Sequence, residues 1–174
     1  MYKVNDLIFY SNTGICRIKD ITMLENASFD ENQFYYVLEP VYGNGVIYAP
    51  TYTKAFMRHI ISPEEAERLI DMISTMQAEP YYNDRMQELK QHYEALVKTH
   101  DCGDLIELAM STYAKKELAQ QTDRKFGQID ERFMKQAEDL LYGEVSLALA
   151  IPKDKVQEYI AAKVAAKVVA NSKV

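Results

Sequence analysis

The side chains with most to offer a reaction are three histidines, two cysteines and a few acids. His92 and His100 stand eight residues apart, two helical turns, whereas a metal-binding pair on one helix needs a spacing of about four. His59 lies well upstream of both. His100-Asp101-Cys102 gathers an imidazole, a carboxylate and a thiol, the set a metal or thiolate site would use. It is a loose cluster at a junction between two helical patterns, and it reads as a solvated turn. Glu138 and Glu144 could suggest an acid–base pair. Their spacing of six puts them on somewhat different helix faces, which favours capping or surface pairing. Gly43-Asn44-Gly45 joins two strand-like runs and opens no helix, so it is not a phosphate-binding loop. No nucleophile elbow occurs. Together these residues disfavour an enzyme and predict no metal, no cofactor and no small-molecule substrate.

The elements that carry these residues follow from composition and periodicity. The chain has 174 residues, 48% hydrophobic and 26% charged, a globular balance. No apolar run approaches the roughly 20 residues that a membrane-spanning helix needs, so no membrane partner is expected. The first residues lack the apolar stretch of a secretion signal, and Cys16 and Cys102 form no pair motif. A cytoplasmic protein with reduced thiols is the expectation. The net charge of -6 opposes a bulk electrostatic grip on nucleic acid but leaves room for a local basic face.

The pattern changes near residue 62. Upstream, short runs rich in Val, Ile, Phe and Tyr alternate with turn residues, which predicts strands over 2–10, 15–24, 33–41, 46–52 and 57–61. The turns are Ser11-Asn12-Thr13-Gly14, a polar connection over 25–32, and Gly43-Asn44-Gly45. Five short strands in sixty residues suggest a small barrel, because closure removes exposed edges. Downstream, Ser62-Pro63-Glu64-Glu65 reads as a capping box with proline at the first helical position. Helices are predicted over about 63–77, 84–99, 105–119, a stretch capped by Asp130, and one begun by Pro152. Asp104 with Glu107 reads as the capping box of the third. The expected fold class is therefore α+β, with residues 1–61 a small β-barrel and residues 62–174 an all-α domain.

Without a catalytic set, the aromatics direct the reading. Tyr10, Tyr35, Tyr36, Tyr42, Tyr48 and Tyr52 are too many for the core of sixty residues. Tyr35 and Tyr36 are adjacent in one strand and face opposite ways. Some of these rings belong on the surface, where Tyr is a favoured interface residue.

Specific residues then point to a family. Tyr2-Lys3-Val4-Asn5-Asp6, Ile8-Phe9-Tyr10, Thr13-Gly14 and the run over 15–18 resemble the opening of the CarD/CdnL-type bacterial transcription regulators. Cys102-Gly103-Asp104-Leu105-Ile106-Glu107-Leu108, Tyr113-Ala114-Lys115-Lys116, and the stretch over 130–141 followed by Glu144 resemble the family's helical half. The resemblance implies a Tudor/SH3-like N-terminal barrel that binds the RNA polymerase β subunit by edge-to-edge strand pairing. It implies a helical domain that touches promoter DNA at the upstream edge of the bubble without reading its sequence, and that stabilises the open complex.

The departures shape the expected sites. Asn5 stands where the family has Gly, and Ser11-Asn12-Thr13 where it has Pro-x-His, both turn-tolerant changes. The family's minor-groove Trp is absent, and by position Tyr81 or Tyr82 stands in for it. The resemblance implies a DNA face comprising Tyr81, Tyr82, Arg85 and Lys90, with Lys115, Lys116, Arg124 and Lys125 as a second basic group. The expected polymerase face comprises Ile18, Met23, Leu24, Tyr36 and Tyr48. Acids interleave the DNA face, so the alternative is an adaptor that binds polymerase or another protein without touching DNA.

Overall fold

The structure is a computed structural model describing residues 1–24 and 32–172. The connection read as 25–32 therefore lies, apart from Asn32, outside the described residues. The fold is α+β: among the described residues, a five-stranded antiparallel sheet is followed by five helices. The chain divides into two compact units, Met1–Ile60 and Ile61–Val174.

The first unit comprises β1 (Leu7–Tyr10), β2 (Gly14–Met23), β3 (Phe34–Pro40), β4 (Ile47–Pro50) and β5 (Met57–His59). Their spatial order is β4-β3-β2-β1-β5. The expected closure into a barrel is not observed: no ladder joins β4 to β5 among the described residues. The two strands that would have to meet offer only four and three residues. One sheet face buries Ile8, Cys16, Ile18, Tyr36, Leu38 and Ala49. The cross-strand register explains the set, since Ile8 opposes Cys16, Ile18 opposes Leu38, and Tyr36 opposes Ala49. On the other face Phe9 opposes Ile15, both buried, with Phe56 edge-on to Phe9.

Two backbone features set the ends of these strands. Asn5 adopts φ 74°, left-handed backbone in which Asn is tolerated better than other side chains. A register shift between Ile18 and Asp20 inserts one extra residue into β2. The inserted residue moves the inward position from an expected Asp20 to Ile21, which packs against the core.

The second unit comprises α1 (Pro63–Ile73), α2 (Met86–Lys98), α3 (Cys102–Gln121), α4 (Gln128–Leu149) and α5 (Val156–Asn171). Ser62 caps α1 by accepting from the Glu65 N–H at 3.1 Å. Helix α1 ends four residues before the expected 77, where the Ser74 and Thr75 hydroxyls donate to the carbonyls of Asp71 and Met72. Helix α3 begins three residues before Leu105, because the Asp101 carboxylate already accepts from the Gly103 and Asp104 N–H groups. Gly127, not Asp130, occupies the cap position of α4. Pro152 precedes a single 3-10 turn, Lys153–Lys155, before α5 starts.

Leu69, Ile70, Cys102, Ile106, Leu141, Val145 and Val156 form the buried centre of this unit. Glu144 lies among them with no exposed surface. Its carboxylate accepts from the Ile61 N–H at 2.9 Å and from the Cys102 thiol at 3.1 Å. The surface pairing expected of Glu144 is thus corrected: it ties the first residue of the helical unit to α3 and α4. The solvated turn at 100–102 is corrected too, because His100 and Cys102 are both buried.

Candidate interaction surfaces

In the first unit the residues expected at the polymerase face separate by burial. Ile18 and Tyr36 are core residues, exposed by 0% and 3%, so their side chains have no surface to offer. Met23 and Tyr48 are exposed and Leu24 is half-buried. Of the six tyrosines, Tyr42, Tyr48 and Tyr52 present rings to solvent, whereas Tyr35 and Tyr36 are both buried. Strands β2 and β3 are interior strands for most of their length. Beyond Ile18, however, β2 has left β1 behind and pairs with β3 alone. The segment from Asp20 to Met23 is therefore an open edge among the described residues. Its Ile21 N–H donates to the neighbouring Asp20 carboxylate at 2.8 Å rather than to a strand. At the tip Met23 opposes Phe34, and these side chains are 51% and 50% exposed. The result is backbone without a strand partner beside an exposed apolar pair.

In the second unit the residues expected at the DNA face also divide. Arg85 is held by Glu88 at 2.8 Å, and Lys90 by Glu94 at 3.4 Å, on the exposed side of α2. Arg85 and Asn83 together pull the Glu88 carboxyl below its ordinary range. Tyr81 stacks on His92 with ring centroids 3.7 Å apart and meets Tyr93 edge-on. Burial lowers the His92 imidazole, against the opposing charge of Glu107. Tyr81 is thereby committed to the bundle. Tyr82 is 61% exposed and is the ring that projects.

Tyr82, Lys115, Arg124 and Lys125 converge on one cavity of about 390 Å³, whose walls also include Leu118, Ala119 and Phe126. Lys116 does not line it. The Lys115 ammonium lies 4.9 Å from the centre of the Tyr82 ring and 2.8 Å from the Asp130 carboxylate. The same carboxylate oxygen accepts from the Tyr93 hydroxyl at 2.7 Å. Burial first, and then this Asp130 bond, push the Tyr93 phenol well above its ordinary value. Lys115 is thus a nearly buried structural cation that supports Tyr82. Arg124 and Lys125 are exposed and form no ion pair among the described residues. Gly127 makes the arrangement possible, since a Cβ there would lie 2.7 Å from the Asp130 carboxylate.

Residues 2–61 match the family model of the CarD-like/TRCF RID domain. The N-terminal unit belongs to that family. No curated protein matches the chain. An RID domain is a protein-interaction module rather than a catalytic one, and the family's domains interact with RNA polymerase. The match ends at the residue where the helical unit starts, so it speaks for the sheet alone. Within the RID domain, the left-handed Asn5 explains why its position suits glycine, and why asparagine can replace it. No helix among the described residues is long and apolar enough to cross a membrane.

Sequence reasoning missed Phe34, Phe126, and the pairing of Asp130 with Tyr93 and Lys115. Phe34 was legible as the neighbour of Tyr35 on the opposite face. Phe126-Gly127 gave a weaker signal, an aromatic held beside a glycine in a polar connection.

Proposed function

We propose that the protein is a CarD-like transcription regulator that binds the RNA polymerase β subunit through its RID domain and steadies the promoter open complex through its helical unit. The observation that carries this reading is the RID match over a sheet with an open edge at β2. Unpaired strand backbone recruits a partner strand, and flanking apolar side chains give it specificity. Met23 and Phe34 are the anchors on this edge, Leu24 extends it, and Tyr48 lies on the outer strand β4. The sheet serves as the small Tudor/SH3-like module of the family. Tyr82 takes the place of the family's Trp, with Arg124 and Lys125 on phosphates. Contact is not sequence-specific, and it occurs in the cytoplasm at the nucleoid.

The test uses Ile21. Its N–H faces away from β3, so Ile21→Pro removes a donor from the docking edge and leaves the β2–β3 ladder in place. Ile21→Ala is the control that trims the side chain and keeps the N–H. In pull-down of core polymerase, Ile21→Pro should weaken capture by about tenfold, the loss of one backbone bond plus obstruction by the ring. Ile21→Ala should bind within about threefold of wild type. Equal binding by both variants would remove this edge from the reading.

The adaptor reading, with polymerase contact and no DNA contact, is favoured by one observation: of the cations expected on DNA, Arg85, Lys90 and Lys115 are already paired with acids. Open-complex lifetime separates the two readings. Arg124→Glu with Lys125→Glu should shorten it while polymerase binding persists, and an unchanged lifetime would leave the adaptor.

A further inference from the structure

Building on the promoter contact above, we propose that the cavity beside Tyr82 takes up one unstacked nucleotide of a single DNA strand, its base inside and its phosphate at the rim. Tyr82 is exposed and at the same time forms one wall of a concave site, so a base can lie against its ring with the rest of the cavity around it. The cavity of about 390 Å³ falls in the range of small-ligand pockets, roughly 300–1,000 Å³. Its lining divides in the way a nucleotide requires. Tyr82 and Phe126 offer aromatic surface, and Leu118 and Ala119 offer aliphatic surface, for a base with two apolar faces. Arg124 and Lys125 are exposed and form no ion pair among the described residues, which leaves them available to a phosphate. Thr122 and Asp130 supply polar atoms to the same lining. A base in an intact duplex cannot enter such a site, so the cavity selects DNA whose strands have separated.

The measurement is anisotropy of the full-length chain at low salt, with a labelled duplex bearing a single-stranded tail. Tails carrying one abasic position each are compared with the complete tail. Removing a stacked base costs roughly five- to hundredfold in affinity. One abasic position should therefore weaken binding by about tenfold, and the others by little. Ala119→Leu fills the cavity from helix α3 with a good helix former, and should bring the complete tail down to the affinity of that abasic tail. Tyr82→Phe should keep the distinction and Tyr82→Ala should lose it, with circular dichroism confirming the fold of each. The proposal is overturned if every abasic tail binds like the complete one, if Ala119→Leu keeps the distinction, or if no tail binds at all. AMP that binds as tightly as the tail would overturn the assignment to a strand. Should these tests fail while Arg124→Glu with Lys125→Glu still shortens open-complex lifetime, the promoter contact stands and only the pocket falls.

Discussion

Removing the Asp130 carboxylate should cost the helical unit far more than removing any other acid of its first turn. Asp130 is 3% exposed and accepts from two donors, the Tyr93 hydroxyl at 2.7 Å and the Lys115 ammonium at 2.8 Å. In Asp130→Ala the Tyr93 hydroxyl, whose residue has no exposed surface, is left without its acceptor. A buried polar group so stranded costs about 1–3 kcal/mol. Breaking a buried ion pair costs about 3–5 kcal/mol. The Lys115 side chain is 13% exposed and can turn its ammonium to water, which brings its share well below that range. The sum is about 3 kcal/mol, which for a unit of this size lowers Tm by about 10 °C. Glu131→Ala is the control, since Glu131 lies in the same turn but on the surface, paired with Lys135. It loses only the interaction with the helix dipole and a surface pair, about 1 kcal/mol or less. Urea unfolding gives both values, and a cycle with Tyr93→Phe gives the coupling, expected near 1.5 kcal/mol. A cost below about 1 kcal/mol for Asp130→Ala, or strict additivity with Tyr93→Phe, would refute the claim that this carboxylate holds Tyr93 and Lys115 together.

Alkali should destabilise the helical unit. The Tyr93 phenol is raised by burial, so above pH 10 the unfolded chain loses its proton while the folded chain keeps it, and stability falls by about 1.4 kcal/mol per pH unit. Burial also pushes Tyr113 up to about 12 and raises Tyr142, in the same direction, and urea midpoints from pH 8 to 12 should show a slope that Tyr93→Phe flattens. In the RID domain Asn5→Gly should leave stability within about 0.5 kcal/mol of wild type, whereas Asn5→Val should lose about 1–2 kcal/mol, because a β-branched residue resists φ 74°. Equal thermal midpoints for the two variants would contradict that backbone assignment.

What the sequence disclosed, and what it hid, follows the distance over which each feature is determined. Ser62-Pro63-Glu64-Glu65 is a local device, and the strand-to-helix switch could be placed from it alone. The same holds for Asn5, whose departure from glycine could be judged harmless before its φ was known. Asp130 read as a helix cap because its partner Tyr93 stands 37 residues away. Glu144 read as a surface acid because the backbone it binds is 83 residues upstream. Ile18 was placed on a docking face because alternation gives two faces without saying which is covered, and Ile18 lies with Cys16 and Leu38 on the covered one. Barrel closure is not observed among the described residues for a different reason. Closing a sheet depends on the lengths of β4 and β5, and sequence reading locates strand ends poorly.

The charge arrangement sets an order of events. With Arg85 and Lys90 in surface pairs and Lys115 held by Asp130, the cations left to the cavity rim are Arg124 and Lys125. Two phosphate contacts give a salt slope of about -2, against about -10 for a repressor that finds DNA unaided. A chain of net charge -6 gains nothing from long-range attraction to the duplex. Its grip on DNA must therefore be weak when it is free in solution. If the RID domain is bound to polymerase first, the helical unit meets the promoter at an effective concentration that can reach millimolar, and a weak contact suffices. On the proposed reading, the β2 edge would determine where the protein acts, and the Tyr82 cavity how long the strands stay apart. A variant with stronger cations, such as Glu88→Lys beside Arg85, would gain affinity for any duplex and lose this dependence on polymerase.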